Sequence, residues 1–205
     1  GVARAMDDPT FIAVSGKGNF KTLEDLVSAS KKAPLNWGVA QIGGTEHIGL
    51  AQFAKEAGIK FKVVPFGSGA QMVQALMAGK IDATLPNVSE AANQVADGSF
   101  RALAVMAEDR LKDYPNVPST YEKGIKAKCS TTRGYAVLAS TPQPIIDQIS
   151  KAMVKAMKHD VFKSYLAGAG LTVESSVAGT KVWDKHLKAE YKVAASALKE
   201  LGLVK

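Results

Sequence analysis

Three short loops carry the residue types that could bind a ligand. Residues 41–45 and 65–69 are rich in glycine, residues 86–89 include Asn87, and each loop precedes a predicted helix. Glycine lets backbone N–H groups approach a ligand, and a helix start offers unpaired donors with partial positive charge. The pattern therefore indicates a site for an anion, either a carboxylate or a phosphate. The same glycines are equally typical of tight turns between a strand and a helix.

Motifs for other kinds of chemistry are missing from the sequence. It has no Gly-x-x-x-x-Gly-Lys-Ser/Thr motif, and Gly67-Ser68-Gly69 lacks the third glycine of a dinucleotide fingerprint, so no cofactor is expected. Gly-x-Ser-x-Gly is also absent, and no residue is nominated as a base for Ser68. We therefore expect no catalytic residue.

The histidines and the single cysteine do not form a recognisable site. His47, His159 and His186 lie far apart and lack metal-ligand spacing, so no metal is expected. His47 follows the first glycine loop, where it either packs or caps a helix or contacts a ligand. The other two fall in lysine-rich helical stretches and are expected in solvent. Cys129 cannot form an internal disulfide and is expected to be an unreactive, half-exposed thiol.

The elements around the loops should bring them together. Apolar runs predict strands at residues 11–14, 37–40, 61–64, 81–85 and 101–106. Helices are predicted between them, beginning at Thr22, which is a good N-cap, and near Glu46, Ala70 and Glu90. Strands that alternate with helices form βαβ units around a mostly parallel sheet. Each of the three loops follows the carboxyl end of a predicted strand. In a parallel sheet these ends lie at one edge, where ligands bind, so the three loops should meet there.

The last third of the chain follows a different pattern. It predicts a strand at 134–139, helices at 142–158, 161–167 and 181–201, and a short strand at 171–173. The change from alternating to helix-rich sequence predicts an α/β protein of two lobes, joined near residue 132.

Composition narrows the function classes. The chain has 205 residues, 46% hydrophobic and 22% charged, which is typical of a folded protein. Its formal net charge is +7, but the lysines are scattered as on solvated helix faces, so nucleic acid is not an expected partner. No apolar run approaches the roughly 20 residues of a membrane span, so the chain is not expected to be membrane-embedded. The first residues are not a signal peptide, which leaves export open.

Several motifs occur in a fixed order along the chain. They are Trp37-Gly38 followed by Gly43 and His47, Val64-Pro65-Phe66-Gly67-Ser68-Gly69-Ala70, Arg101-Ala102-Leu103-Ala104-Val105, Pro115-Asn116-Val117-Pro118-Ser119 and Glu122-x-Gly124. Together they resemble the motifs of the substrate-binding proteins of tripartite tricarboxylate transporters, the Bug family of bacterial periplasmic proteins. The resemblance covers nearly the whole chain.

The resemblance implies a periplasmic solute receptor with the type II periplasmic-binding-protein fold. Residues 14–131 would form the complete second lobe, and residues 1–13 and 132–205 a partial first lobe. A small organic anion would bind in the cleft between the lobes and pass to the membrane components of a tripartite transporter. The N-terminal part of the family's first lobe, with its Gly-Gly-x-x-Asp loop, is not in this sequence, and we expect the chain to be a trimmed fragment.

Ten residues are the expected ligand-binding set. They are Gln41, Gly43, Gly44, Thr45, His47, Phe66, Gly67, Ser68, Gly69 and Asn87. The hypothesis is that Gly43, Gly44 and Thr45 donate to a ligand carboxylate, that His47 and Asn87 orient it, and that residues 67–69 line the other side. Glu46 departs from the family motif and would repel a plain dicarboxylate unless it faces away or meets an amino group. The expected ligand is therefore a small carboxylate or an amino-acid-like molecule.

Three other functions stay open. The same fold could serve a sensor or adaptor that presents its bound state to a membrane or signalling partner. It could also be the effector lobe of a transcription regulator, which needs a helix-turn-helix not seen in this sequence. An enzyme is the third alternative, although the sequence lacks a paired nucleophile and base.

Overall fold

Strands and helices fill most of residues 1–204, the part of the chain that the computed structural model describes. The strands are β1 Ala3–Pro9, β2 Phe11–Ser15, β3 Leu35–Val39, β4 Phe61–Pro65, β5 Ala83–Thr84, β6 Phe100–Val105, β7 Ser130–Tyr135 and β8 Ala178–Gly179. The helices are α1 Leu23–Lys32, α2 Thr45–Ala57, α3 Gly69–Met77, α4 Val88–Ala96, α5 Gln143–Ala156, α6 Asp160–Gly168, α7 Val173–Ser176 and α8 Thr180–Glu200. None of these helices is long and apolar enough to cross a bilayer.

The larger sheet has five strands in the order β4-β3-β5-β2-β6. Strand β3 runs parallel to both of its neighbours, β4 and β5, as the alternating pattern predicts. Strand β2 instead pairs antiparallel with β5 and β6. It follows β1 of the other sheet after Thr10 alone, with no helix between them, so it is not part of a βαβ unit and need not run parallel. Four of the five strands therefore point the same way.

Helices cover both faces of this sheet. On one face, α1 and α2 bury Leu26, Leu50 and Phe53 against Trp37 of β3. On the other, α3 and α4 bury Met72, Leu76 and Val88 against Phe11 of β2. Helix α1 begins as predicted, because the Thr22 hydroxyl accepts from the N–H of Asp25 at 3.1 Å and completes a capping box. A sheet packed on both faces is a rigid support for the loops at its edge.

The smaller sheet, β7-β1-β8, is antiparallel. This sheet and the nearby helix α7 differ from the sequence predictions in three places. Residues 3–9, which carry no strand signal in the sequence, form its central strand. Strand β7 spans Ser130–Tyr135 rather than 134–139, because its register with β1 runs from Pro9 opposite Ser130 to Ala3 opposite Tyr135. Thr172 is an N-cap of α7, not part of a strand, and its hydroxyl accepts from the N–H of Ser175. The division into lobes at residues 14 and 131 stays a prediction.

Candidate functional site

Three loops meet at one edge of the larger sheet. Residues 40–44 join β3 to α2, residues 66–68 join β4 to α3, and residues 85–87 join β5 to α4. Because β3 lies between β4 and β5 and is parallel to both, the three loops emerge side by side. The N–H groups of Phe66 and Gly67 donate to the carbonyls of Val39 and Ala40 at 3.0 and 2.8 Å and tie the second loop to the first. The structure thus brings the predicted loops together.

The first loop is held by its own hydrogen bonds. Gly43 adopts φ +75°, which favours glycine, and its N–H donates to Nδ1 of His47 at 3.0 Å. The N–H of Gly44 donates to the carbonyl of Gln41 at 3.2 Å. These two donors, expected to reach a ligand, are therefore used within the loop. Gln41 is exposed and contributes only its carbonyl to these contacts.

His47 orients the loop instead of pointing into open space. It is buried, and its ring meets the edge of Phe61 with the centroids 6.3 Å apart. Burial lowers the pKa of His47, which favours the neutral imidazole that accepts from Gly43. The packing interpretation of His47 fits this geometry, and its role in orienting a ligand stays a prediction.

The start of α2 supplies the unpaired donors of the first loop. The first hydrogen bond of the helix runs from the N–H of Ile48 to the carbonyl of Gly44, so the N–H groups of Thr45, Glu46 and His47 have no partner within the described residues. Thr45 is exposed and also lines a cavity of about 420 Å³ between α2, β7 and α8. An anion would be favoured at this helix start by the free donors and by the helix dipole.

The second loop provides a similar but smaller helix start. Gly67 adopts φ +80°, and Ser68 caps α3 by accepting from the N–H of Gln71 at 3.3 Å. The N–H groups of Gly69 and Ala70 stay free at the beginning of the helix. Phe66 is half-buried and packs against the core under α3 and α4. No base lies within hydrogen-bond reach of the Ser68 hydroxyl among residues 1–204, so a nucleophilic role has no support.

Asn87 in the third loop is a structural tie between the two sheets. It is buried, its Nδ2 donates to the carbonyl of Asp8 at 2.6 Å, and its Oδ1 accepts from the Thr131 hydroxyl at 3.1 Å. Both ends of the amide are thus engaged by β1 and β7. The side chain therefore faces the neighbouring strands, and the role of Asn87 in orienting a ligand stays a prediction.

Asp8 already occupies the start of α4. Its carboxylate is fully buried and accepts from the N–H and the hydroxyl of Ser89 at 3.2 and 2.5 Å, while Nη1 of Arg133 lies 3.9 Å away. Burial raises the pKa of Asp8 against the lowering effect of Ser89 and Arg133. This internal carboxylate shows how a helix start at this edge receives an anion. The sequence gives no sign of it, because Asp8 and Ser89 are 81 positions apart.

Two further carboxylates stand beside the free helix starts. The side chain of Glu90 lies against Gly69, where an added Cβ would be 2.5 Å from its Oε1. Burial raises the pKa of Glu90, and the negative charges of Glu46 and Asp8 add to the rise. The carboxylate of Glu46 lies near Gly44, with Oε2 3.7 Å from where a Cβ would be. Glu46 therefore does not face away from the first loop.

Cys129 and the remaining histidines lie outside this arrangement. Cys129 is buried, not half-exposed, because it fills the space beside Gly49 of α2. Burial raises its pKa to about 12, so the thiol stays protonated and unreactive. His159 caps α6 in solvent as expected, whereas His186 is half-buried on α8. Within residues 1–204, no group of three or more histidine, cysteine or acidic side chains could hold a metal.

The fold is that of an α/β protein with a candidate site at one edge of its larger sheet, and sequence comparison identifies the family. The family described as "Tripartite tricarboxylate transporter family receptor" matches residues 1–203, so the chain belongs to that family. Its members and structural neighbours are substrate-binding receptors rather than enzymes. The resemblance to Bug-family receptors in the sequence is confirmed.

Two bacterial relatives are longer than this chain. The "UPF0065 protein in the TAR-I ttuE-ttuC' intergenic region" of Agrobacterium vitis is 26% identical over 186 residues, which are 89% of this chain and 54% of the relative. "Protein BugT" of Bordetella pertussis is 23% identical over 175 residues, 83% of this chain and 53% of the relative. The chain therefore spans about half the length of these proteins.

Solved structures confirm the periplasmic-binding-protein fold. A TctC solute-binding protein from Polaromonas, without ligand, matches with TM-score 0.88 and 25% identity over 97% of this chain and 68% of that one. A Rhodopseudomonas palustris protein with adipate matches with TM-score 0.78 and 22% identity, over 98% and 68% of the two chains. MatC of the same organism, with bound malate, matches with TM-score 0.64 and 21% identity, over 83% and 60%.

Proposed function

We propose that the chain is the ligand-capturing part of a periplasmic receptor that binds a small carboxylate and delivers it to the membrane components of a tripartite transporter. One observation carries the proposal: the loops that lead into α2 and α3 emerge side by side at one edge of the larger sheet, and each helix start has free N–H groups. Adipate and malate, which are bound in two similar structures, are both small dicarboxylates.

In this proposal the ligand carboxylate accepts from the backbone at Thr45 and Glu46, and Gly69 and Ala70 line the opposite side. The internal carboxylate of Asp8 supports it, because Asp8 accepts from a backbone N–H in the same way at the start of α4. The ten expected ligand-binding residues then have two kinds of role. Thr45 and Gly69 offer donors, while Gly43, Gly44, His47 and Asn87 shape the loops.

Glu46 and Glu90 bear on the choice of ligand. Each places a carboxylate beside a free helix start, where it repels the negative charge of a plain dicarboxylate. An amino-acid-like ligand would meet the same carboxylates with its ammonium group, which turns repulsion into attraction. We therefore favour a carboxylate that also carries an amino group over a plain dicarboxylate.

A thermal-shift scan tests this function. The chain is melted with malate, adipate, aspartate, glutamate and an uncharged polyol of similar size as control. A ligand at 100 times its Kd stabilises the folded state by about 2.7 kcal/mol, which raises the midpoint measurably. A rise with carboxylates but not with the polyol supports the proposal, and no rise with any carboxylate contradicts it. Glu46→Gln should move the preference towards malate and adipate, since it removes a repelling charge without changing the shape.

A further inference from the structure

The exposed side of α8 carries five lysines that are aligned along the helix axis. At 3.6 residues per turn, its five lysines fall within about 60° of the helix circumference and extend over about 27 Å. They are Lys181, Lys185, Lys188, Lys192 and Lys199, and all are exposed. In sequence these lysines look scattered, and only the helix aligns them. We call this row the α8 lysine face.

Four of the five charges on this face are not neutralised by an ion pair among residues 1–204. Lys188 pairs with Asp184 at 2.6 Å, whereas the other four lysines have no ion pair among residues 1–204. The opposite side of the helix buries Trp183 and Ala197, so the lysine face is directed away from the core. The helix needs a polar outer side to be amphipathic, but a mixture of charges would satisfy that need.

The chemistry of the row indicates a diffuse anionic partner. It is made of lysine alone, and α8 contains no arginine. A lysine ammonium is a compact, strongly hydrated point charge, whereas arginine suits the paired hydrogen bonds of a shaped protein site. A straight row of point charges matches a flat layer of anionic headgroups, to which each nearby lysine adds about 1 kcal/mol of attraction, about a five-fold gain in partitioning.

We propose that the α8 lysine face docks on a membrane surface that carries anionic phospholipid headgroups. Helix α8 also reaches the first ligand loop, because Leu198 lies 3.4 Å from where a Cβ on Gly43 would be. Docking through this helix would hold the loop close to the membrane. Membrane docking is separate from ligand binding, and each can be measured without the other.

Vesicle sedimentation at low salt tests the docking. The chain is mixed with vesicles of phosphatidylglycerol and phosphatidylcholine, or of phosphatidylcholine alone, with no ligand present. The test variant is K181Q/K185Q/K192Q/K199Q, which leaves the Lys188–Asp184 pair intact. The control variant, K17Q/K60Q/K62Q/K80Q, removes four exposed lysines elsewhere. Both variants lower the net charge by the same amount, from +7 to +3 (7 − 4).

We expect the wild type to bind anionic vesicles only and to be released by added salt, because salt screens exposed charges. The test variant should partition at least ten-fold less, and the control variant within two-fold of the wild type. Failure of the wild type to bind anionic vesicles would overturn the proposal, as would an equal loss in both variants. Binding to soluble polyglutamate without binding to vesicles would also overturn it, because the partner would then be an acidic protein. Circular dichroism checks that both variants keep their helix content.

Discussion

Replacing Thr45 with proline removes one proposed ligand donor while leaving the helix able to form. Thr45 is the first residue of α2, and its N–H has no partner within the described residues. Proline is favoured at this helix position, where its missing N–H costs no intrahelical bond. The preceding residue, Gly44, has φ −77° and ψ −179°, the extended conformation that a following proline requires. The free energy of unfolding should therefore change by no more than about 1 kcal/mol.

The effect on ligand binding should be much larger. A hydrogen bond to a charged group contributes about 1.5–3 kcal/mol, so Thr45→Pro should raise the Kd of a carboxylate roughly ten- to a hundred-fold. Isothermal titration calorimetry measures this Kd, with the carboxylate that gives the largest thermal shift. Thr45→Ala separates the N–H from the hydroxyl, because it keeps the N–H. Asp160→Pro is the control variant, because it makes the same backbone change at the exposed first position of α6. An unchanged Kd in Thr45→Pro would refute the assignment of this donor.

Three further predictions concern packing, reactivity and pH. Gly49→Ala should lower the free energy of unfolding by about 1–3 kcal/mol, because the added Cβ would lie 2.5 Å from Sγ of Cys129. Thermal melts should show this loss. The control variant Gly168→Ala should show none, because its added methyl group has no neighbour within 4 Å. Cys129 should react with a thiol reagent only as fast as the protein unfolds, since burial raises its pKa to about 12. The raised pKa of Asp8 makes its charged form unfavourable in the folded state. The stability should therefore fall as pH rises from Asp8's ordinary pKa through the raised one, and denaturant titrations should show a weaker fall in Asp8→Asn.

Local signals in the sequence predicted the loop edge well. The starts of α1, α2 and α3 follow Thr22, Gly44 and Ser68, residues that favour helix starts in any context. Apolar runs predicted β2, β3 and β6, because burial between two helix layers needs continuous hydrophobic sequence. These helix starts and strands depend on neighbours in sequence, so the sequence pattern was sufficient to predict them.

The features that were missed depend on distant partners. Strand β1 contains Arg4, Asp7 and Asp8 and gives no strand signal, yet pairing with β7 makes it the centre of a sheet. The buried Asp8 and the tie through Asn87 join segments about 80 positions apart. Glu90 could have been noticed in the sequence, since it lies in the first turn of α4. Its contact with Gly69 appears only in the folded chain.

Nuclear magnetic resonance of the ¹⁵N-labelled chain tests the central claim most directly, because each backbone N–H reports on its own surroundings. A titration with the carboxylate that gives the largest thermal shift should move the amide signals of Thr45, Glu46, Gly69 and Ala70 first and furthest. Small or absent changes there, with large changes around Arg4, Arg110 and His186, would place the ligand in the separate cavity of about 480 Å³ that those residues line. That result would contradict the proposed binding site at the loop edge.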